Sequence, residues 1–361
     1  MSKTPLVSVI IPAYNTDHYI GEMLECVISQ TYKRLQIIVI DDGSTDKTRE
    51  VIRGYQKSDP RIELVESHKG GVSRARNIGI DKAEGEKIFF WDSDDIIENT
   101  AIERIVDFSY KENVNSVLYG YSSYIDGIKG QPFSHKLKKK YSGKEIVETL
   151  MPHFIGHSFS DINKWISGKV GLREGKEHTA LWRIMIDAEV LCKSGIKFDE
   201  KLSLGEDTKF INSYFLYEDS IGFLDECFYY LRKRMNGLNM TSQSNPVLMA
   251  SNKLKLIKAR MEIDDVAKQK GYSIHHFWEG TIVFSAVELA IRLSKETQKE
   301  EGIAVFTRYT SDPLVRETIG RFNPGFGIKA LPFYFLKIGN GRILYRICAL
   351  IPRKLVKKFT S

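Results

Sequence analysis

The chain has 361 residues, 42% hydrophobic and 27% charged, a composition ordinary for a folded protein and large enough for two domains, which excludes a disordered chain. Its four cysteines, at 26, 192, 227 and 348, form no CxxC pair and no zinc-ligand spacing, so a zinc module is excluded as well. The net charge of +7 is uneven: from Thr318 onward there are nine Lys or Arg and no Asp or Glu.

In chain order, LVSVII (6–11) reads as a short buried strand. HYIGEMLECVISQ follows as a helix with Ile20, Leu24, Val27 and Ile28 on one face. LQIIVI (35–40) is a second strand, and DDGSTDKTREVIRGYQ turns into a second helix with Ser44 or Thr45 as N-cap. RIELVE is a third strand. GGVSRARNIGIDKAEG reads as a helix from near Ser73, ended by Gly85. KIFFW is a fourth strand, NTAIERIVDFSYKEN a helix, and SVLYGYSSYI a returning strand. Alternating strands and helices predict an α/β fold, a mostly parallel sheet flanked by helices on both faces.

Such sheets bind ligands at the carboxyl ends of their strands. The distinctive polar residues fall there: Pro12 to Asn15 after strand one, Asp41 and Asp42 after strand two, and Asp92 to Asp95 after strand four. No GxGxxG follows the first strand and no GxxxxGK[ST] occurs, so neither dinucleotide binding nor P-loop hydrolysis is favoured.

Further on, HKLKKKYSGKE reads as a basic surface excursion and PHFIGHSFSDINKW as a mobile loop, with 153–175 bordering the site. Residues 178–195 read as helical. SLGEDTKFINSYFLYED places an acidic pair at a helix start, and SIGFLDECFYYLRKR is a strand running into basic residues. Beyond about 245 the pattern is helical. The expected division is an α/β domain over 1–240 and a mainly helical region over 241–361. The tail interleaves basic residues with ALPFYFLKI, ILYRICALI and LVKKF, none of which reaches the roughly 18 apolar residues of a membrane span. It is suited to an anionic membrane surface or to packing on its own domain. No nucleic-acid module is visible.

Several residues carry candidate chemistry. Asp92 and Asp94, alternating in an extended segment, would share a face, with Ser93 between them. Their hard oxygens suit Mg²⁺ or Mn²⁺ held with a ligand's phosphates, or else cap a turn. Asp42 could accept from the N–H of a pyrimidine base with Tyr14 packed on the ring; alternatively Asp41 and Asp42 bond the GST turn, Asp41 the better suited to that. Arg74 and Arg76 could meet a phosphate or pair with the strand-end acids. Glu206–Asp207 is either a source of a general base or a helix cap. Arg232 and Arg234 could close on a diphosphate or be surface charge.

Taken in order, VSVIIPAYN (7–15), IIVIDDGSTD (37–46), GGVSRARNIGI (70–80), FFWDSDD (89–95) and GEDTKF (205–210) resemble a family 2 glycosyltransferase of the GT-A fold, of the bacterial cell-surface polysaccharide type. The resemblance spans the first 210 residues. It implies a Rossmann-like sheet and inverting transfer of a sugar from a nucleotide donor, here a UDP-sugar, to a glycan or lipid-linked acceptor. It assigns the base contact to Asp42, ribose and metal (Mn²⁺ or Mg²⁺) to Asp92 and Asp94, and the catalytic base to Asp207 of the Glu206–Asp207 pair. Pro12, Tyr14, Asn15, Arg76, Ser93, Arg232 and Arg234 complete the expected donor site. His68 stands where the family often has Asn. The QxxRW motif and membrane spans of processive synthases are missing, which implies one sugar per encounter. The rival readings are a non-catalytic carbohydrate-binding relative and a sugar-1-phosphate nucleotidyltransferase; the latter needs a glycine-rich loop where PAYNTD stands. The expected location is cytoplasmic, peripheral at the inner face of the membrane, and an oligomer is compatible with the sequence.

Overall fold

The protein is described from a computed structural model, for residues 4–233, 245–338 and 341–350. The chain divides into two compact units, one of residues 1–150 with 178–234 and one of 151–177 with 235–361.

The first unit is built on a ten-stranded mixed sheet flanked by helices. Its elements are β1 (Val7–Ala13), α1 (Ile20–Ile28), β2 (Leu35–Asp42), α2 (Thr48–Ser58), β3 (Ile62–Ser67), α3 (Val72–Lys82), β4 (Lys87–Phe90), β5 (Ile96–Ile97), α4 (Ala101–Glu112), β6 (Ser116–Ile125), β7 (Ile128–Lys129) and β8 (Lys140–Ser142). After residue 177 come β9 (Ile184–Asp187), α6 (Ala188–Ser194), α7 (Glu206–Phe215) and β10 (Ser220–Arg232), while α5 (Phe159–Ile166) lies in the second unit. The strand order is β3-β2-β1-β4-β9-β6-β10-β5, with β7 on β6 and β8 on β10. β3, β2, β1 and β4 run parallel, as do β6 and β10; β9 runs antiparallel between β4 and β6.

The central strands β1 and β2 are largely apolar on both faces, as strands covered on both sides are. Val7, Val9, Ile10, Ile11, Ile37, Ile38, Val39 and Ile40 are fully buried. At about 1.5–3 kcal/mol for each such side chain, this layer fixes the sheet and hence the positions of the strand ends. Pro12 explains where the sheet opens. The Ile10 carbonyl accepts the Trp91 N–H, so Pro12, two residues on, turns its ring nitrogen toward the same neighbour, β4. The β1–β4 ladder ends at Ile10–Phe90, so the missing N–H costs no ladder bond. β1 and β4 part here, at the point where the strand order reverses, which is where open α/β sheets form their crevice.

Three local expectations are corrected. Residues 184–187 form strand β9, where a helix over 178–195 is expected; IMID is too short for its period to be read. The supposed loop over 153–175 contains α5, started by a capping box in which Ser158 Oγ accepts the Asp161 N–H and Asp161 accepts the Ser158 N–H. Helix α2 begins at Thr48, past both expected caps; Ser44 Oγ accepts the Asn15 N–H instead.

The second unit is helical. Besides α5 it holds α8 (Pro246–Gln269), α9 (Glu279–Glu296), α10 (Lys299–Thr310), α11 (Pro313–Arg321), α12 (Leu331–Lys337) and α13 (Gly341–Leu350). Among the described residues no helix is long and apolar enough to cross a membrane.

Candidate active site

The carboxyl edge of the sheet is tied together loop to loop. Asn15, in the left-handed region at φ 50°, accepts the Thr45 N–H at 2.8 Å, and the Thr16 N–H meets Thr48 Oγ1 at 2.8 Å. These bonds couple the turn after β1 to the turn after β2. Asp41 is fully buried and serves that turn, accepting the Ser44 N–H and the Arg49 Nε–H at 2.6 Å. Asp42 is 5% exposed and reaches across to the start of α3. Its two oxygens accept the N–H groups of Gly70 and Gly71 at 2.7 and 2.8 Å. Each carboxylate oxygen retains acceptor capacity. Beside it the Tyr14 hydroxyl accepts from Lys69 Nζ at 2.7 Å.

At the centre of the edge stands Arg76, on α3 and 4% exposed. Its guanidinium donates to Asp207 Oδ1 at 2.7 Å and to Asp92 Oδ1 at 3.2 Å, and lies 3.5 Å from Glu206 Oε1. It rests 5.4 Å over the Phe198 ring, which stacks on Phe210. Asn77 holds that support in place: its side chain accepts the Phe198 N–H and donates to the Phe198 carbonyl. Burial opposes the Arg76 charge, but the carboxylates of Asp207, Asp92 and Glu206 outweigh it and raise its pKa. Its Nε is buried without a hydrogen-bond partner among the described residues.

Glu206 and Asp207 open α7. Neither caps it: Gly205, at φ 83°, occupies the N-cap position, and that left-handed turn delivers both acids into the first helical turn, where the helix dipole favours negative charge. Asp207 also accepts the Leu181 N–H. Burial pushes the Asp207 carboxyl up to about 7; Arg76 opposes this, while Glu206 and Asp92 add to it.

Residues 92–95 form a turn closed by the Asp95 N–H on the Asp92 carbonyl, not the extended segment expected. Asp92 and Asp94 are half-buried, and Ser93 is buried. Asp95 faces inward at 2% exposure, accepting the Tyr229 hydroxyl at 2.5 Å and the Arg232 N–H at 2.7 Å. Burial, then the Asp92 charge, raises the Asp95 carboxyl to about 7. Arg232 donates from Nε to the Asp94 carbonyl at 2.7 Å and pairs with Glu22 at 2.5 Å. Arg234 lies outside the described residues. Sequence reasoning placed Asp95 at the strand end without a role and missed Phe198 and Tyr229; the bonds joining Asp95 to Tyr229 and Phe198 to Asn77 each span more than a hundred residues.

Residues 8–164 match the family model Glycosyl transferase family 2. Over this stretch, a little under half of its length, the chain is similar to that family. It is 28% identical over 235 residues to the uncharacterized glycosyltransferase EpsJ of Bacillus subtilis, covering 65% of this chain and 63% of that one. It is 30% identical over 237 residues to the minor teichoic acid biosynthesis protein GgaB of B. subtilis, covering 64% of this chain and 23% of GgaB. The matches thus span less than two thirds of these relatives. In fold, the chain is similar to S. aureus TarS 1–349, solved in complex with UDP-GlcNAc, with a TM-score of 0.59 and 18% identity over 95% of this chain and 90% of that one. The family and the mixed sheet with its flanking helices agree with the GT-A expectation.

Among the described residues no three His, Cys, Asp or Glu side chains gather into a set that could hold a metal alone. The acids of the turn after β4 are nevertheless hard oxygen donors, of the kind that binds Mg²⁺ through one or two carboxylates plus a ligand's phosphates.

Proposed function

We propose that this protein transfers a single sugar from a UDP-sugar to a hydroxyl of a glycan or lipid-linked acceptor, with inversion, in cell-surface polysaccharide synthesis. The observation that carries this is the meeting of Asp92, Glu206 and Asp207, from distant parts of the first unit's sequence, on one buried arginine at the sheet's carboxyl edge. The UDP-GlcNAc complex of TarS and the teichoic acid role named for GgaB support the donor and acceptor classes.

We assign donor binding and catalysis to residues 1–240, with 241–361 as the accessory helical region. Asp42 takes a uracil N–H on its remaining lone pairs, Tyr14 packs on the base, and Pro12, Asn15 and Ser93 shape the crevice. Asp92 addresses the ribose. Asp94 with Asp92 would hold Mn²⁺ or Mg²⁺, which supplies positive charge to the departing diphosphate. Arg232 and Arg234 close on the same phosphates.

Asp207 acts as general base. It takes the proton of the acceptor hydroxyl as that oxygen bonds to the anomeric carbon, from the face opposite the leaving group. The bond from that carbon to the phosphate oxygen breaks, and its electron pair leaves with UDP. A carboxyl near 7 suits this task, since it is both substantially ionised and basic at neutral pH. Burial chiefly holds that value up, and Glu206 alongside adds to it.

The test is Asp207→Asn. UDP binding measured by calorimetry should persist, while transfer falls by about 10²–10⁴. In the wild type, kcat/KM should drop as pH falls through about 7, because the base takes up a proton. Transfer by Asp207→Asn at near wild-type rate, or a wild-type profile flat between pH 6 and 8, would reject Asp207 as the base.

A further inference from the structure

The second unit carries an apolar surface that its own core does not use. α12 buries Phe333 and Leu336, at 1% and 4% exposure, and Phe333 packs on Trp165 and Phe322. Its other face should then be polar. Instead Leu331, Tyr334 and Ile338, spaced three and four apart and so on one face, are 51%, 38% and 76% exposed. The loop leading into this helix adds Phe326 at 93% and Ile328 at 86%. Five large apolar side chains within thirteen residues exceed the scattered exposure that a soluble surface tolerates.

The loop is braced in this conformation. Asn163 of α5 accepts the Gly325 N–H at 2.8 Å and donates to the Asn323 carbonyl at 3.1 Å. Gly327, at φ 131°, adopts a backbone that side-chain-bearing residues avoid. Phe326 and Ile328 are therefore presented outward on a fixed support, with little ordering entropy left to lose on contact.

The two charged side chains within this stretch, Lys329 and Lys337, are both basic. Lys329 donates to the Trp165 carbonyl and lies over its ring, and Lys337 donates to the Phe322 carbonyl and to Asn323 Oδ1. These acceptors are neutral, so among the described residues neither lysine's charge is cancelled by a carboxylate. No acid occurs in the sequence from Thr318 on. An apolar wedge flanked by uncompensated cations complements a bilayer with anionic headgroups, in which apolar tips enter the acyl boundary and cations meet phosphate.

We propose that Phe326, Ile328 and the Leu331–Tyr334–Ile338 face form a membrane-docking surface for an anionic bilayer. This does not depend on the reaction assigned above, and its test reads no activity. Full-length protein is floated with phosphatidylglycerol-containing vesicles and with phosphatidylcholine vesicles, beside the double variant F326S/I328S. Wild type should float with the anionic vesicles and release as salt is raised; it should float much less with the zwitterionic ones. The double variant should lose at least tenfold in partitioning, with an unchanged melting temperature because both side chains lie in solvent. Equal flotation of variant and wild type, or no flotation of wild type, overturns the proposal. A dimer in sedimentation that the double variant abolishes, without vesicle binding, would assign the face to a second copy of the chain and equally overturn it.

Discussion

Arg76→Met removes the one cation that three carboxylates of the site share. The methionine keeps an apolar stem over Phe198, so packing changes little and the loss is electrostatic. At 4 Å and an effective dielectric near 20, one charge pair is worth about 4 kcal/mol before desolvation is counted. Removing one partner of a buried pair costs about 3–5 kcal/mol, because the other is left unpaired. The Arg76 side chain is 5% exposed, so solvent screens its contacts little, whereas that of Asp92, at 33%, recovers some water when freed. The expected cost at pH 8 is therefore about 3–5 kcal/mol, dominated by Asp207 at 2.7 Å. For a unit of about 200 residues that is a fall of roughly 6–20 °C in Tm. The pH dependence is diagnostic. With a folded value raised to about 7, Asp207 binds a proton more readily in the native than in the unfolded state, so its contribution is favourable at low pH and is lost as pH rises through 7. Removing Arg76 raises that value further, so the penalty should shrink between pH 8 and pH 6 as the carboxyl is neutralised. Calorimetric melts of wild type and variant at both pH values measure this. A variant melting within about 2 °C of wild type at pH 8, or a penalty equal at both pH values, would refute the electrostatic account. Arg76→Lys should fall between the two, since an ammonium keeps the charge but cannot bridge Asp92 and Asp207 at once.

Gly79→Ala should destabilise despite the helix propensity of about 1 kcal/mol that alanine adds. Its new methyl would strike Ile10 Cγ2 and come within 3.1 Å of Ile40 Cδ1, overpacking α3 on β1 and β2 by about 1–3 kcal/mol; a melting temperature above wild type would show that the helix shifts freely on the sheet. Asp94→Ala should abolish any Mn²⁺ dependence of UDP binding in calorimetry while leaving the fold intact, because the bond from Arg232 to residue 94 goes to the backbone carbonyl. An unchanged metal dependence would reject Asp94 as a metal ligand.

β1, β2 and β4 were legible because each carries an apolar run ended by polar residues, as strands covered on both faces do, whereas β3 is interrupted by Glu63 and Glu66. The strand ends were legible for the same reason: Asp42 and Asp92 stand where burial must stop. What each acid does there was not legible. Asp92, Asp94 and Asp95 look alike in sequence, yet Asp95 alone turns inward, because Tyr229 and the Arg232 N–H wait for it across β10. The metal-ligand geometry argued from alternation gave way to a turn for the same reason. The start of α5 was an available signal overlooked: Ser158 and Asp161 have the spacing of a capping box. β9 was not available, since four residues cannot distinguish a strand period from a helix period.

The charge count at the edge constrains how a donor can be held there. Three acidic side chains face one guanidinium around Arg76, and a nucleotide diphosphate is itself an anion. Arg76 is already committed to Asp92 and Asp207, and its Nε is buried without a hydrogen-bond partner among the described residues. Placing a diphosphate beside Asp92 and Asp94 therefore calls for positive charge from elsewhere. Arg232 contributes on one side, but its guanidinium already pairs with Glu22. If the donor is held as proposed above, a divalent cation entering with it would supply that charge. The cation's remaining ligands would be phosphate oxygens, so metal and nucleotide should each strengthen the other's binding.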